Sequence, residues 1–183
     1  MKKDILLLLT EGFEEVEAVV PVDFLRRLGV NLITVGLENK TVTGSHNIVL
    51  QTDITLAEVI PDNIAALILP GGMPGSTNLR DNDKVINLIK VANSQNKLIA
   101  AICAASIALY RAGILQNKNH TAHPSVKEFF IKSNYTEKRV EQDDNIITAK
   151  GPGVSFEFAL RIAQYLGFGD SAEKLFKEMF IVK

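Results

Sequence analysis

Lys97-Leu-Ile-Ala-Ala-Ile102 runs without interruption into Cys103-Ala-Ala-Ser106. The first six residues read as a strand buried on both faces, and Ala104 to Ala112 reads as a helix, so Cys103 falls at the junction between them. Ala101 and Ala105, two residues to either side, are small. A sharp strand-to-helix turn brings those two positions close together, so a nucleophile elbow requires small side chains there. A thiol at a helix start also faces exposed amides and the positive end of the helix dipole, and both lower its pKa. This stretch therefore predicts a reactive Cys103. The bland alternative is an inert, packed cysteine, since cysteine is among the most buried residue types.

The same alternation extends outward from this junction. Asp4-Ile-Leu-Leu-Leu-Leu9, Asn31 to Leu37 and Ile64 to Leu69 are aliphatic runs of strand length. Glu14 to Gly29, Asp83 to Asn96, Gly153 to Leu166 and Ala172 to Phe180 carry apolar residues at helical spacing, and Ser125 to Lys132 reads as a short helix. Pro21 lacks an amide donor and clashes with the preceding turn, so a break or kink is expected near Val19–Val20. Thr41 to Thr43 and Asn47 to Gln51 flank Gly44-Ser45-His46 as a hairpin beside the main sheet. Arg139 to Glu141 and Ile146 to Ala149 are expected to pair. Strands alternating with helices predict an α/β fold, with a mainly parallel sheet covered by helices on both faces. Ligands in such folds bind beyond the carboxyl ends of the strands. That directs attention to Leu9-Thr10, to Leu69-Pro-Gly-Gly72 and to Ile102-Cys103. No repeat or Gly/Ser/Pro-rich linker divides residues 1–183, so one domain is expected.

Composition narrows the function classes. The 183 residues include 20 basic and 21 acidic side chains, a net charge of −1, with 46% hydrophobic and 22% charged residues. This is the balance of a folded globular protein, not of a disordered chain or a nucleic-acid binder with a basic face. A single cysteine excludes an internal disulfide framework and a Cys-rich metal site, and three histidines leave little material for zinc. No metal or other cofactor is expected. Met1-Lys-Lys-Asp4 followed by Ile5 to Leu9 imitates a secretory signal, but the apolar run is shorter than the roughly 7–15 residues a signal needs. The longest apolar run, Leu98 to Ala105, falls far below the ~18 residues that span a bilayer. A cytoplasmic protein without membrane contact is the resulting expectation.

Several residues near the strand ends could carry chemistry. Gly71 and Gly72 would let backbone amides approach a ligand without Cβ obstruction, and one of them with the Ala104 amide could hold a developing oxyanion. Glu11, Glu14, Glu15 and Glu17 follow the first strand. Most read as a solvated helix start, where acids suit the dipole. Glu17 lies between Val16 and Ala18-Val19-Val20, and a carboxyl buried there would have a raised pKa. Of the histidines, His123 in His123-Pro124 is the candidate partner for a distant cysteine. His120 reads as a loop residue and His46 as a solvated hairpin tip. Gly151-Pro-Gly153 reads as a rigid turn.

Taken together, Glu14-Glu-Val-Glu17 with Pro21-Val-Asp23 and Arg26-Arg27-Leu-Gly29, Leu69-Pro-Gly-Gly72, Ala100-Ala-Ile-Cys-Ala104, Thr121-Ala-His-Pro124 and Lys150-Gly-Pro-Gly-Val-Ser-Phe-Glu-Phe-Ala159 resemble the ThiJ/PfpI superfamily over essentially the whole chain. The likeness is to the branch that holds the parkinsonism-associated deglycase and the bacterial YajL proteins. The resemblance implies a flavodoxin-like three-layer sandwich, usually a homodimer. It implies that Cys103 is the reactive cysteine, that Glu17 is a protonated carboxyl bonded to its thiolate, that His123 lies near the sulfur, and that the amides of Gly72 and Ala104 surround the oxyanion position.

Three departures carry information. The protease-like branch has histidine immediately after the cysteine, where this chain has Ala104, which disfavours a peptidase. Ala105-Ser106 replaces a Gly-Pro pair, placing the Ser106 hydroxyl near the site. The family arginine at the hairpin tip is replaced by His46. Ser106, His46 and Arg27 are candidate pocket residues on this basis. The resemblance implies cofactor-independent glyoxalase or deglycase chemistry on small 2-oxoaldehydes such as methylglyoxal, or on their glycated adducts. The alternative is a redox-responsive stress-protective or chaperone-like protein whose cysteine oxidises to sulfinic acid.

Overall fold

The computed structural model describes residues 4–181. Met1 to Lys3, which open the N-terminal run read above, lie outside the described residues.

Eleven strands are present among those residues. They are β1 (Asp4–Leu9), β2 (Leu32–Gly36), β3 (Thr41–Thr43), β4 (Val49–Gln51), β5 (Ile54–Thr55), β6 (Ile64–Leu69), β7 (Leu98–Ile102), β8 (Asn119–His120), β9 (Asn134–Tyr135), β10 (Val140–Asp143) and β11 (Ile146–Ala149). The helices are α1 (Glu15–Arg27), α2 (Gly75–Asp81), α3 (Asp83–Ser94), α4 (Ser106–Arg111), α5 (Ser155–Tyr165) and α6 (Gly169–Glu178). Seven strands form the central sheet in the order β10-β11-β7-β6-β1-β2-β5. Its pairs are parallel except β10 with β11. β3 and β4 form a separate antiparallel hairpin, as the sequence predicts.

Side chains on successive strand residues point to opposite faces, so a strand buried on both sides divides its aliphatics between two cores. In β1, Leu6 and Leu8 join one core while Ile5, Leu7 and Leu9 join the other. In β7, Ile99 and Ala101 face the first core, and Leu98, Ala100 and Ile102 face the second. Residues of α3 and α4 complete the first core; residues of α1, α5 and α6 complete the second. The result is a flavodoxin-like sandwich of three layers. Cys103 packs against both cores, because it leaves the sheet at its edge between the layers.

The topology also places the site. After β1 the chain proceeds to β2 on one side; it later returns to β6 on the other side and continues to β7. The sheet therefore changes direction between β1 and β6, and crevices at such switch points are the usual ligand sites of open α/β sheets. The ends of β1, β6 and β7 lie side by side there.

The expected break at Pro21 does not occur. α1 continues from Glu15 to Arg27 with Pro21 buried inside it. Proline lacks the N–H that would pair with the carbonyl four residues earlier, and here that carbonyl belongs to Glu17. The burial of Ala18, Pro21, Phe24 and Leu25 supplies the packing that keeps the helix whole. Two other segments are tighter than expected. Pro124–Phe129 is a 3₁₀ turn rather than an α-helix, and a 3₁₀ turn, Cys103–Ala105, precedes α4.

Candidate active site

β7 ends at Ile102, and Cys103 follows with φ of 63°, in the left-handed region that non-glycine residues rarely occupy. This is the geometry of a strand–helix elbow: the turn is sharp enough to lift the side chain out of the sheet. Ala104 and Ala105 are buried directly behind it. The amides of Ala104 and Gly72 are near enough to the sulfur to favour its charged form. Gly72 adopts φ of +91°, and a Cβ there would lie 2.4 Å from the backbone nitrogen of Glu14. Only glycine fits that bend.

Glu17 reaches the sulfur from α1. It is fully buried. Its Oε2 accepts the Gly71 N–H at 2.7 Å, its Oε1 is buried without a hydrogen-bond partner among the described residues, and the Cys103 thiol is near enough to influence the carboxyl. Gly71 stands between the two groups: a Cβ at this position would lie 2.5 Å from Glu17 Oε2 and 2.7 Å from Cys103 Cβ. Burial pushes the Glu17 carboxyl up to about 7, against the pull of the Cys103 and Gly71 hydrogen bonds and with the help of the nearby Glu14 charge. This is the direction anticipated from the apolar setting of Glu17.

The thiol behaves differently from expectation. Burial, then the charge and hydrogen bond of Glu17, push the Cys103 thiol above its ordinary range, and the Ala104 and Gly72 amides only partly offset this. The prediction of a thiol lowered by a helix start fails for two physical reasons. α4 is six residues long and separated from Cys103 by the 3₁₀ turn, so its dipole is weak at the sulfur. The nearest ionisable group is an acid, and two adjacent acids resist carrying two negative charges. When Glu17 is protonated, its repulsion of a charged sulfur disappears.

His123 is brought close through its backbone. Its N–H donates to the Cys103 carbonyl at 3.3 Å. The ring is half-buried, and its Nδ1 is held by Ser125, with the backbone N–H at 3.2 Å and Oγ at 2.8 Å. Ser106 is fully buried, and its hydroxyl donates to the Thr121 carbonyl at 3.2 Å, so it braces the segment leading to His123 instead of lining an open pocket. Arg27 lies at the far end of α1, about 15 Å along the axis from Glu17 at 1.5 Å per residue. There it pairs with Asp23 at 3.0 Å on an exposed surface, away from Cys103.

His46 is exposed at the hairpin, as expected of a tip, yet it is anchored. Its Nδ1 lies 2.9 Å from Glu15 Oε2 and 3.5 Å from Glu14 Oε2. Glu15, read from sequence as part of a solvated helix start, is in fact buried. Burial alone would raise its carboxyl, but the His46 ring and the backbone N–H groups of Glu15, His46 and Ile48 outweigh burial and hold it at about 2. The same carboxylate raises the His46 pKa through its hydrogen bond, with the charges of Glu14 and Glu15 adding to it. Glu14, Glu15 and His46 are also the one grouping of metal-type donors among the described residues, with donor atoms within 4.8 Å of one another. Their mutual hydrogen bonds already satisfy them as an ion pair. Periodicity could not have exposed this latch, because Glu15 meets the hairpin only through the tertiary fold.

No helix among the described residues is long and apolar enough to cross a membrane. The DJ-1/PfpI family matches residues 3–165. The chain is 35% identical to protein dj-1beta of Drosophila melanogaster over 185 residues, covering 99% of this chain and 98% of that one. The crystal structure of that fly protein superposes with a TM-score of 0.95 at 34% identity, covering 100% of both chains. The Parkinson disease protein 7 homolog of Danio rerio is 38% identical over 169 residues, 90% of this chain and 89% of that protein. A Pyrococcus abyssi protein named as a deglycase is 30% identical over 151 residues, 81% of this chain and 90% of its own. With an elbow cysteine, a buried acid and matches of this length, the chain belongs to the DJ-1/PfpI family.

Proposed function

We propose that residues 1–183 form a single domain that acts, without a cofactor, on small 2-oxoaldehydes such as methylglyoxal or on their early adducts with proteins. The carrying observation is the fully buried Glu17 carboxyl beside the elbow cysteine, its Oε2 held by the Gly71 N–H and its midpoint raised by burial to about 7. A group that titrates near the working pH can both accept and return a proton. The deglycase name of the Pyrococcus abyssi relative supports the same chemistry.

The electrostatics assign an order to the steps. The resting thiol is protonated, so Glu17 as carboxylate takes the Cys103 proton while the sulfur attacks the aldehyde carbon. The carbonyl electron pair moves to oxygen, where the Gly72 and Ala104 amides would receive it. The resulting hemithioacetal isomerises: the hydrogen on the former aldehyde carbon leaves as a proton and returns to the neighbouring carbon. The former aldehyde becomes a thioester and the ketone becomes a hydroxyl. Water cleaves the thioester, releasing the 2-hydroxy acid and restoring the thiol. Methylglyoxal plus water thus becomes lactate with no net oxidation.

Val16 and Val19 on α1 and Ile48 and Val49 by the hairpin are exposed apolar side chains, and Glu15 ties that hairpin to α1. This apolar face supports a homodimer, which sedimentation velocity would detect. An unpaired reactive cysteine suits the reducing cytoplasm.

The test is lactate formation from methylglyoxal by the wild type, Cys103→Ser and Glu17→Gln. Turnover by the wild type, abolished in Cys103→Ser, is expected. Enzymatic lactate surviving in Cys103→Ser would falsify the mechanism. Absence of lactate together with selective peroxide oxidation of Cys103 would favour the redox-responsive, chaperone-like reading, in which the same two amides hold a sulfinate.

A further inference from the structure

His123 caps the turn Pro124–Phe129 with its ring, and the cap fixes where the ring proton sits. The Ser125 backbone N–H points at Nδ1 from 3.2 Å. An amide nitrogen can only donate, so Nδ1 presents a lone pair. The Ser125 hydroxyl, 2.8 Å from the same nitrogen, is then a second donor to it. A neutral imidazole carries one proton, and with Nδ1 engaged as an acceptor that proton lies on Nε2. Nε2 has no protein partner among the described residues, so its N–H is free for a substrate. The Cys103 carbonyl accepts the His123 backbone N–H at 3.3 Å, which ties the His123 segment to the elbow.

We propose that Ser125 is a positioning residue that fixes His123 as an Nε2–H donor, so that Glu17 rather than His123 receives the thiol proton. This rests on the 2-oxoaldehyde reading given above. As the sulfur–carbon bond forms, the S–H bond breaks toward Glu17, and the carbonyl pair becomes an alkoxide. His123 donates a hydrogen bond to that oxygen and keeps its own proton. A neutral histidine polarising a carbonyl is an established catalytic pattern. The proton held by Glu17 then passes to the alkoxide, which restores the carboxylate for the isomerisation step.

Long-range proton–nitrogen spectra of the full chain, labelled at histidine, read the tautomer directly. The neutral ring of His123 in the wild type is expected to be the Nε2–H tautomer. Ser125→Ala, which loses the hydroxyl but keeps the backbone N–H on Nδ1, is expected to raise the Nδ1–H population without making it the main form and to lower kcat about twofold, with KM changed less. Ser125→Thr, which keeps the hydroxyl, is expected to restore both. His123→Gln places an amide N–H near the Nε2 position, whereas His123→Asn places it near Nδ1, so His123→Gln is expected to be the more active. A wild-type spectrum showing Nδ1–H, or His123→Gln no better than His123→Asn, would overturn the proposal. If the wild type makes no lactate, the functional reading fails, while the tautomer spectrum still decides the role of Ser125.

Discussion

Glu15 and Glu17 sit two residues apart in the first turn of α1, both buried, and they are driven in opposite directions. Glu15 is held at about 2 and Glu17 is raised to about 7. Burial pushes both upward, so burial does not explain the difference. Glu15 turns toward the hairpin and meets a histidine and three backbone donors. Glu17 turns toward the sheet edge and meets one amide and a thiol, itself an acid. One helical turn thus presents a permanent anion to a structural latch and a titrating acid to a nucleophile. Donor count, not depth, decides the role of each carboxyl.

The largest expected consequence of that contrast is catalytic. Glu17→Gln keeps the size and hydrogen-bonding reach of the side chain but removes the exchangeable proton, so lactate formation should fall about 10²- to 10³-fold with the fold intact, as read by kcat and circular dichroism. Glu15→Gln, measured beside it, should lose far less. Comparable losses in the two variants would erase the distinction.

Stability against pH separates the two acids by sign. The folded-state pKa of Glu17 lies above its unfolded value, so the folded protein holds the extra proton, and this group's contribution declines as pH rises from 4.5 toward about 7. The full effect is about 3 kcal/mol by the conversion of pKa into free energy. Denaturant unfolding from pH 5 to 8 should show that decline in the wild type and not in Glu17→Gln. Glu15 has the opposite slope. Its folded-state pKa is lowered, so its stabilisation is present above 4.5 and is lost as pH falls toward about 2.

Glu15→Ala should cost about 1–3 kcal/mol in urea unfolding, because it leaves the His46 and Ile48 amides without their acceptor. Exchange of those two amides should accelerate while protection in β7 persists. The smallest effect belongs to His46→Ala. Its ring is 68% exposed, so a Tm drop of about 1–2 °C is expected. Its raised pKa gives this contribution a defined window: it is complete below the unfolded value near 6.5 and is lost as pH climbs through the folded value.

Which features could be read in advance follows from where their causes lie in the chain. β1, β6 and β7 were legible because a strand buried on both faces must be aliphatic at every position, and Asp4 to Leu9, Ile64 to Leu69 and Leu98 to Ile102 are nearly so. The elbow was legible from Ala101 and Ala105. Glu17 stood out because its immediate neighbours are apolar. α2 was missed, since Gly75-Ser-Thr-Asn-Leu-Arg-Asp81 has weak helix formers and one fully buried aliphatic, Leu79. The continuity of α1 through Pro21 depends on packing against α5, which no local pattern reveals. The direction of the Cys103 shift was misread for a related reason: the local sequence supplies amides, while the opposing acid arrives from another element. The Glu15–His46 latch and the Ser125 cap on His123 likewise exist only once distant or turn-borne donors converge.

The most direct test is a carbon-13 NMR titration of the Glu17 side-chain carboxyl in the resting wild-type chain, assigned by its absence in Glu17→Gln. A midpoint near 7, with the Cys103 signal still that of a thiol at neutral pH, is the expected result. A midpoint near 4.5 would show that the buried acid is an ordinary carboxylate and would contradict its role as the proton acceptor for sulfur.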